Sequence, residues 1–186
     1  MSAPLSLSSK LELHHTMRDM MTLLSSEYRV SVELHVDAAG RAELHLQGSL
    51  KSHITELSTP NVKERPTSAP WTLPIDARWT GTARREKGHL ILHFESSTDY
   101  KPALAVDVEW ECVPQSVQLG PTNVAAWRCA TAQSQSQRQG AGHWLPPYMQ
   151  VPLFLAAPAE RLQVTAQASG GADHRSTLSP PNYSRY

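Results

Sequence analysis

The sequence lacks an excess of either charge and lacks long apolar runs, and each absence excludes a class of protein. Lys and Arg total 17 and Asp and Glu total 17, so the formal net charge is zero with neutral histidine. A general nucleic-acid binder carries a basic excess that displaces counterions from phosphate, so no nucleic-acid partner is expected. The apolar runs are only a few residues long, so no segment is expected to cross a bilayer as a helix.

The motifs of common catalytic sites are absent as well. The chain contains no G-x-S-x-G elbow, no H-E-x-x-H pair and no glycine loop of the kind that cradles phosphate. No spacing places a nucleophile beside a base. The sequence therefore predicts a protein that is not an enzyme and that needs no cofactor.

Cysteine is scarce, and its two copies leave two arrangements open. Cys112 and Cys129 each follow a tryptophan by two positions. They are either buried reduced thiols or a disulfide, which would contribute about 3 kcal/mol in the chain-entropy model. The stretch 1–7 lacks the basic and apolar regions of a secretory signal, so an intracellular protein is expected, or an exported one if a leader has been removed.

The clearest pattern that is present is an alternation of apolar and polar residues, which indicates strands. Apolar residues occupy every second position from Tyr28 to Val36, and the alternation resumes at Ala42. This predicts a β-hairpin with one buried face. If Asp37 lies opposite Arg41, the apolar sets of both strands share that face, whereas a slip of one residue would expose one set.

Similar alternation predicts further strands and hence the fold class. The predicted strands cover 75–84, 89–95, 104–112, 124–130, 149–155 and 161–168. The fold predicted is mainly β, an antiparallel β-sandwich or barrel of about seven or eight strands. Residues 1–168 are expected to form a single β domain with a long loop at 58–74 and a mobile loop at 130–147, followed by a flexible tail at 169–186.

A helical pattern occurs in residues 9–25, and it predicts the one helix of the fold. Apolar residues there recur at helical spacing and would form one stripe, which indicates one N-terminal amphipathic helix packed on the sheet. The stripe consists of Leu13, Met17, Met20, Met21 and Leu24.

The polar face of the first hairpin is a candidate metal site. In the predicted register Glu33 lies opposite His45 and Glu43 lies opposite His35, so the two histidines are diagonal neighbours about 7–8 Å apart. Two imidazoles and one carboxylate can hold a divalent ion. The alternative is an ordinary polar face of His–Glu pairs, which predicts no metal and only a mild response to pH.

Aromatic residues in proline-rich loops are the candidates for contact with a partner. The candidate residues are Trp71, Trp144, Tyr148, Tyr183 and Tyr186. They predict a non-catalytic protein-binding or structural component of a larger assembly, which contacts another protein through loops 58–74 and 140–150 and the C-terminal tail. Alternatively, the loop aromatics only plug the open end of the sandwich or barrel.

A small-ligand carrier is the alternative function. An exported, lipocalin-like barrel would hold a small apolar ligand in its interior and would have Cys112 bridged to Cys129. The state of the two cysteines and the contents of the barrel therefore distinguish the two predictions.

Overall fold

Nearly all regular structure in the described residues is β. The computed structural model describes residues 3–18, 22–56, 65–66, 69–99, 104–132 and 145–170, which leaves much of the predicted loops and tail outside the described residues. The strands are β1 (Leu5–Arg18), β2 (Thr22–Val36), β3 (Arg41–Glu56), β4 (Arg65–Pro66), β5 (Trp71–Glu86), β6 (His89–Ser97), β7 (Leu104–Pro114), β8 (Val117–Leu119), β9 (Thr122–Val124), β10 (Ala126–Thr131), β11 (Leu153–Ala156) and β12 (Gln163–Gly170). One short helix, α1 (Pro147–Gln150), and a 3-10 turn (Pro158–Glu160) complete the described elements. No helix in these ranges has the length and apolar character needed to cross a membrane.

Eight of the strands close into an antiparallel barrel. Each strand pairs with its neighbours in the order β1-β2-β3-β5-β6-β7-β10-β11. β11 also pairs with β1, where Ser8 lies opposite Ala156, and this pairing completes the circuit. Outside the circuit, β4 pairs with β3, β12 runs parallel to β1, and β8 and β9 form a separate hairpin. The fold is therefore a barrel rather than a sandwich.

The register predicted for the first hairpin is confirmed. Val36 lies opposite Ala42 in the β2–β3 ladder. The turn is held by the Asp37 carboxylate, whose Oδ1 accepts hydrogen bonds from the N–H groups of Ala39 and Arg41, each at 2.9 Å. The Arg41 N–H is the main cause that lowers the pKa of Asp37. With the register held in this way, the apolar side chains of both strands face the barrel interior.

The helix predicted over 9–25 is wrong. The described residues of this segment belong to β1 and β2. Ser9 and His15 occupy buried positions among the leucines of β1, so the apolar alternation is interrupted and a period of two is hard to recognise. A spacing of four residues fits both periods, which is why the stripe resembled a helix. Met20 and Met21 lie outside the described residues.

The barrel interior is filled by the protein's own side chains. The Phe94 ring packs edge-on against Trp79 and Trp110, with ring centroids 6.1 and 5.4 Å apart. All three side chains are fully buried, and Tyr28 packs edge-on against Tyr148 at 5.9 Å. Leucines and valines of the surrounding strands join them in one core cluster. Each ring pair contributes about 0.5–1.5 kcal/mol beyond the burial of its area.

The barrel is closed at one end by residues 145–151, which we call the plug. This is the end at which β1 stops and β2 starts, and we call it the plug end; the opposite end, with the β2–β3 and β5–β6 turns, is the turn end. Leu145, Tyr148 and Met149 of the plug are buried in the core cluster.

The strand predicted over 149–155 is only partly correct, because the chain first forms α1 and becomes a strand at Leu153. Prolines at the start of α1 favour this helical turn, since a first-turn position needs no N–H donor.

Two glycines allow neighbouring strands to approach closely. A Cβ at Gly81 would lie 1.8 Å from the carbonyl oxygen of His93, and a Cβ at Gly48 would lie 1.9 Å from that of Arg29. The β5–β6 register also shifts between Thr80 and Gly81, which marks a bulge. Glycines and bulges of this kind bend strands at the corners of small barrels.

We predict that Gly81→Ala and Gly48→Ala each lower the free energy of unfolding by about 1–3 kcal/mol, because the backbone must shift to admit the methyl group. Urea denaturation measures the loss. Gly88→Asn is the control, since nothing lies within 4 Å of a Cβ there and asparagine tolerates the positive φ of 81°. Alanine variants as stable as the parent protein would contradict the close approach.

Cys112 and Cys129 form a disulfide across β7 and β10. The two residues are directly opposite in the ladder, and both are fully buried on its inner side. Of the two arrangements that the sequence left open, the structure contains the bridged one. The bridge lies beside the barrel's closing strand pair, because β10 is the neighbour of β11.

Replacing both cysteines, as in C112A/C129A, should lower the free energy of unfolding by about 3 kcal/mol, because the unfolded chain regains the freedom that the bridge removes. Urea denaturation with and without reductant gives the measurement. Reductant should destabilise the parent protein and leave the double variant unchanged. An effect of reductant on neither protein would argue against the bridge.

Candidate functional site

A concave groove lies on the outer face of β2, β3, β5 and β6. Its volume is about 780 Å³, and it is open to solvent. Gly81 lies in it at the point where the bulge bends β5. Charged and polar side chains line it, among them Glu33, His35, Glu43, His45, Arg78 and Glu95. The groove therefore exists because outward-facing polar residues of four strands surround a bend in the sheet.

Cross-strand polar contacts order part of this groove. Arg78 Nη1 donates a hydrogen bond to Glu43 Oε1 at 2.5 Å, and His45 Nε2 lies 2.7 Å from Asp76 Oδ1. The side chains of Arg78 and Glu43 are about half exposed. Exposed pairs of this kind contribute little stability, about 0.2–1 kcal/mol each. Their effect is to position charges across the groove.

The four residues of the predicted metal site do not converge. His35 Nδ1 lies 2.8 Å from Ser6 Oγ on β1, on the side away from β3, whereas His45 and Glu43 have partners on β5. No group of three or more His, Cys, Asp or Glu side chains in the described ranges is arranged to hold a metal ion. Glu33 does lie opposite His45 as predicted, so the register is correct although the ligand set does not form.

Histidine–carboxylate pairs recur on the outer face of β6 and β7. His89 Nδ1 lies 2.7 Å from Glu111 Oε1, and His93 Nε2 lies 2.6 Å from Asp107 Oδ1. Two carboxylates on the outer face of β7 thus have histidine partners on the neighbouring strand β6. The outer surface of the barrel therefore carries polar cross-strand contacts on both sides of β5.

A buried carboxyl group connects the plug to the barrel wall. Asp99 is 3% exposed, and its Oδ2 accepts a hydrogen bond from Trp79 Nε1 at 2.6 Å. Its Oδ1 accepts a hydrogen bond from the Tyr148 hydroxyl, and its backbone N–H donates to Ser97 Oγ at 3.1 Å. Burial raises the pKa of Asp99 to about 6, although the bonds from Tyr148 and Trp79 act in the opposite direction.

A row of polar side chains crosses three strands at the plug end. His15 lies opposite Ser26, and Ser26 lies opposite Ser52, whose hydroxyl is 2.9 Å from that of Ser26. All three are buried, and burial lowers the pKa of His15, which favours the neutral imidazole. Within the described part of the chain no hydrogen bond joins His15 to either hydroxyl, so the row lacks the contact that would activate a serine.

The sequence reasoning missed both buried polar groups. Ser26, Ser52 and His15 occupy inward positions of otherwise apolar alternations, and that mismatch is the signal that could have identified them. Asp99 follows β6 in a turn, where a carboxylate is ordinary, and it is buried beside Trp79 and Tyr148, which are distant in the sequence. No sequence pattern indicated that contact.

The predicted partner-binding residues differ in burial, and some lie outside the described residues. Trp71 is half-buried at the start of β5, opposite Ser52. Tyr148 is fully buried in the core, so its side chain does not face a partner, and its position fits the alternative in which loop aromatics plug the barrel. The remaining candidates, Trp144, Tyr183 and Tyr186, lie outside the described residues.

No protein-family model, no curated protein sequence and no solved structure matches this chain. A barrel by itself does not define a function, because the same architecture serves many. Two regions therefore carry the functional argument. The groove is open to a partner, whereas the plug covers the Asp99 carboxyl group.

The raised pKa of Asp99 should make stability fall as pH rises. Below pH 3.8, the ordinary pKa of the group, the Asp99 carboxyl is protonated in both the folded and the unfolded chain. Between pH 3.8 and about pH 6 it stays protonated only in the folded chain. The contribution of Asp99 to the free energy of unfolding therefore decreases by about 3 kcal/mol between these two pH values and stays low at higher pH.

Asp99→Asn removes this dependence, since the amide can accept from Trp79 and donate to Tyr148 without a charge. We expect the variant to gain stability relative to the parent protein between about pH 4 and about pH 7, as measured by urea denaturation. His15 is present in both proteins, so its opposite dependence cancels in the comparison. Glu160→Gln, at an exposed carboxylate of the 3-10 turn, is the control, and its stability should differ from that of the parent protein equally at every pH. A stability difference between Asp99→Asn and the parent protein that does not vary with pH would contradict the prediction.

Proposed function

We propose that the protein is a non-catalytic binding component of a larger assembly and that its partner binds the groove on the outside of the barrel. The observation that supports this most is the filled interior, in which Trp79, Phe94 and Trp110 occupy the space that a carried ligand would need. A partner then has only the exterior to contact. The predicted contacts through loops 58–74 and 140–150 and the tail fall mostly outside the described residues and stay a prediction.

The charges of the groove favour a basic segment of another protein. Four carboxylates (Glu33, Asp37, Glu43 and Glu95) and two guanidinium groups (Arg41 and Arg78) line it, so four minus two leaves two negative charges in excess. Both guanidinium groups already have carboxylate partners within the chain. Glu33 and Glu95 carry the excess, and complementary charge of this kind determines specificity and the rate of association.

Charge reversal tests the proposal. A partner is first captured from native extract with the parent protein, and its dissociation constant is then measured for E33R/E95R. We expect the reversed variant to bind at least about tenfold more weakly, a change of about 1.4 kcal/mol, and the binding of the parent to weaken as salt is added.

Glu160→Arg is the matched control, because Glu160 is an exposed carboxylate on the 3-10 turn, outside the groove. It should bind as the parent does. Equal binding by E33R/E95R and the parent would contradict a role for the groove, as would a purified native protein that contains a small molecule and no partner chain.

A small-ligand carrier is the second candidate, and a specific observation favours it. A hollow of about 260 Å³ lies at the turn end, next to Leu5, Val36 and Leu90. It is slightly smaller than the roughly 300–1,000 Å³ typical of small-molecule sites, so any ligand would be small. The disulfide favours an oxidising compartment, so export belongs to this second proposal. Native mass spectrometry of protein from its natural source distinguishes the two candidates.

A further inference from the structure

β12 is a sheet edge that the barrel does not use. Eight strands close the circuit without it, and among the described residues β12 pairs only with β1, in parallel. The Lys10 N–H donates to the Leu162 carbonyl oxygen at 2.9 Å. This bond determines which residues of β12 direct their backbone N–H and C=O groups toward β1. The N–H and C=O groups of Val164 and Ala166 consequently face β1, and those of Thr165 and Gln167 face the opposite edge. No backbone hydrogen bond from that edge reaches another described residue.

The sequence of β12 does nothing to block this edge. Gln163–Gly170 reads QVTAQASG, which contains no charged residue and no proline. Its pairing with β1 runs over eight residues without a register shift. Free edges in natural sheets are ordinarily protected by charge, proline, bulges or short length, because an open edge pairs readily with another strand. An eight-residue edge without these devices is typical of a strand that has a partner.

We propose that two copies of this chain associate by antiparallel pairing of their β12 edges. With the two-fold axis at Ala166, Thr165 of one copy lies opposite Gln167 of the other, and Val164 lies opposite Ala168. The backbone groups that face outward then meet each other, since Thr165 and Gln167 form a hydrogen-bonded pair in this register.

A second copy suits the edge because the pairing is self-complementary. Polar side chains meet polar ones on the outer face, and the small apolar Val164 and Ala168 meet on the other. The strand carries no charge, so the two-fold axis brings no like charges together, and there is no charge to select a different chain. A single strand edge is small beside the about 1,200–2,000 Å² of a standard interface, so the dimer should be in equilibrium with monomer.

Sedimentation of the full chain over a concentration series tests the proposal. The parent protein should form dimer as its concentration rises. Both T165K/Q167K and T165E/Q167E should stay monomeric, since each places like charges opposite one another across the axis. An equimolar mixture of the two should form a heterodimer, because each lysine then faces a glutamate.

The control is T72K/S96K, which adds two lysines at exposed positions of β5 and β6, away from β12, and should dimerise as the parent does. Circular dichroism and thermal unfolding show whether each variant keeps its fold. A parent protein that is monomeric at every concentration would overturn the proposal, as would lysine variants that dimerise normally or a mixture that does not associate. The groove variant E33R/E95R should dimerise normally, so the two proposals can fail separately.

Discussion

The contact of Phe94 with Trp79 and Trp110 is the interaction on which the rest of the structure depends. The three rings come from consecutive strands β5, β6 and β7 and occupy the barrel interior. An eight-stranded barrel is just wide enough for side chains to fill it, and large rings fill it with few contributors. β7 then continues into the disulfide with β10, and β10 and β11 lead back to β1. The strands that supply the rings are therefore also strands of the closed circuit, so closing the barrel and filling its interior depend on the same strand pairings.

Because the interior is filled, the inward and outward faces of the strands carry different kinds of side chain. Inward positions are mostly apolar; the buried polar residues include Ser9 in β1 and, at the plug end, Asp99 and the row from His15 to Ser52. Outward positions carry the charges, the histidine–carboxylate pairs and the groove. A buried carboxyl group with a raised pKa costs stability near neutral pH, and its bond to Tyr148 ties the plug to the wall. This division is the basis of the proposal that a partner binds the outer surface.

The sequence predicts strands well where one face is uniformly apolar. The β2–β3 register followed from alternation and from Asp37 in the turn, and it was correct to the residue. β1 was missed because Ser9 and His15 interrupt its apolar face. The parallel partner of β12 and the plug contact of Tyr148 could not be predicted, because alternation reports which face is buried but not which distant segment covers it. The groove residues on β2 and β3 were recognised as a polar face, whereas those on β5 and β6 were not assigned to it. The groove contains the bulge at Gly81, which alternation does not indicate.

Binding of a small apolar probe inside the barrel tests the central claim most directly. Xenon or benzene is titrated into the unaltered protein while NMR follows the aromatic signals of Trp79, Phe94 and Trp110. Phe94→Ala, which opens a cavity in the core, serves as the variant that should bind the probe. The account predicts no saturable change in the parent protein and a saturable change in the variant. A saturable change in the parent protein would contradict a filled interior and would favour a carrier.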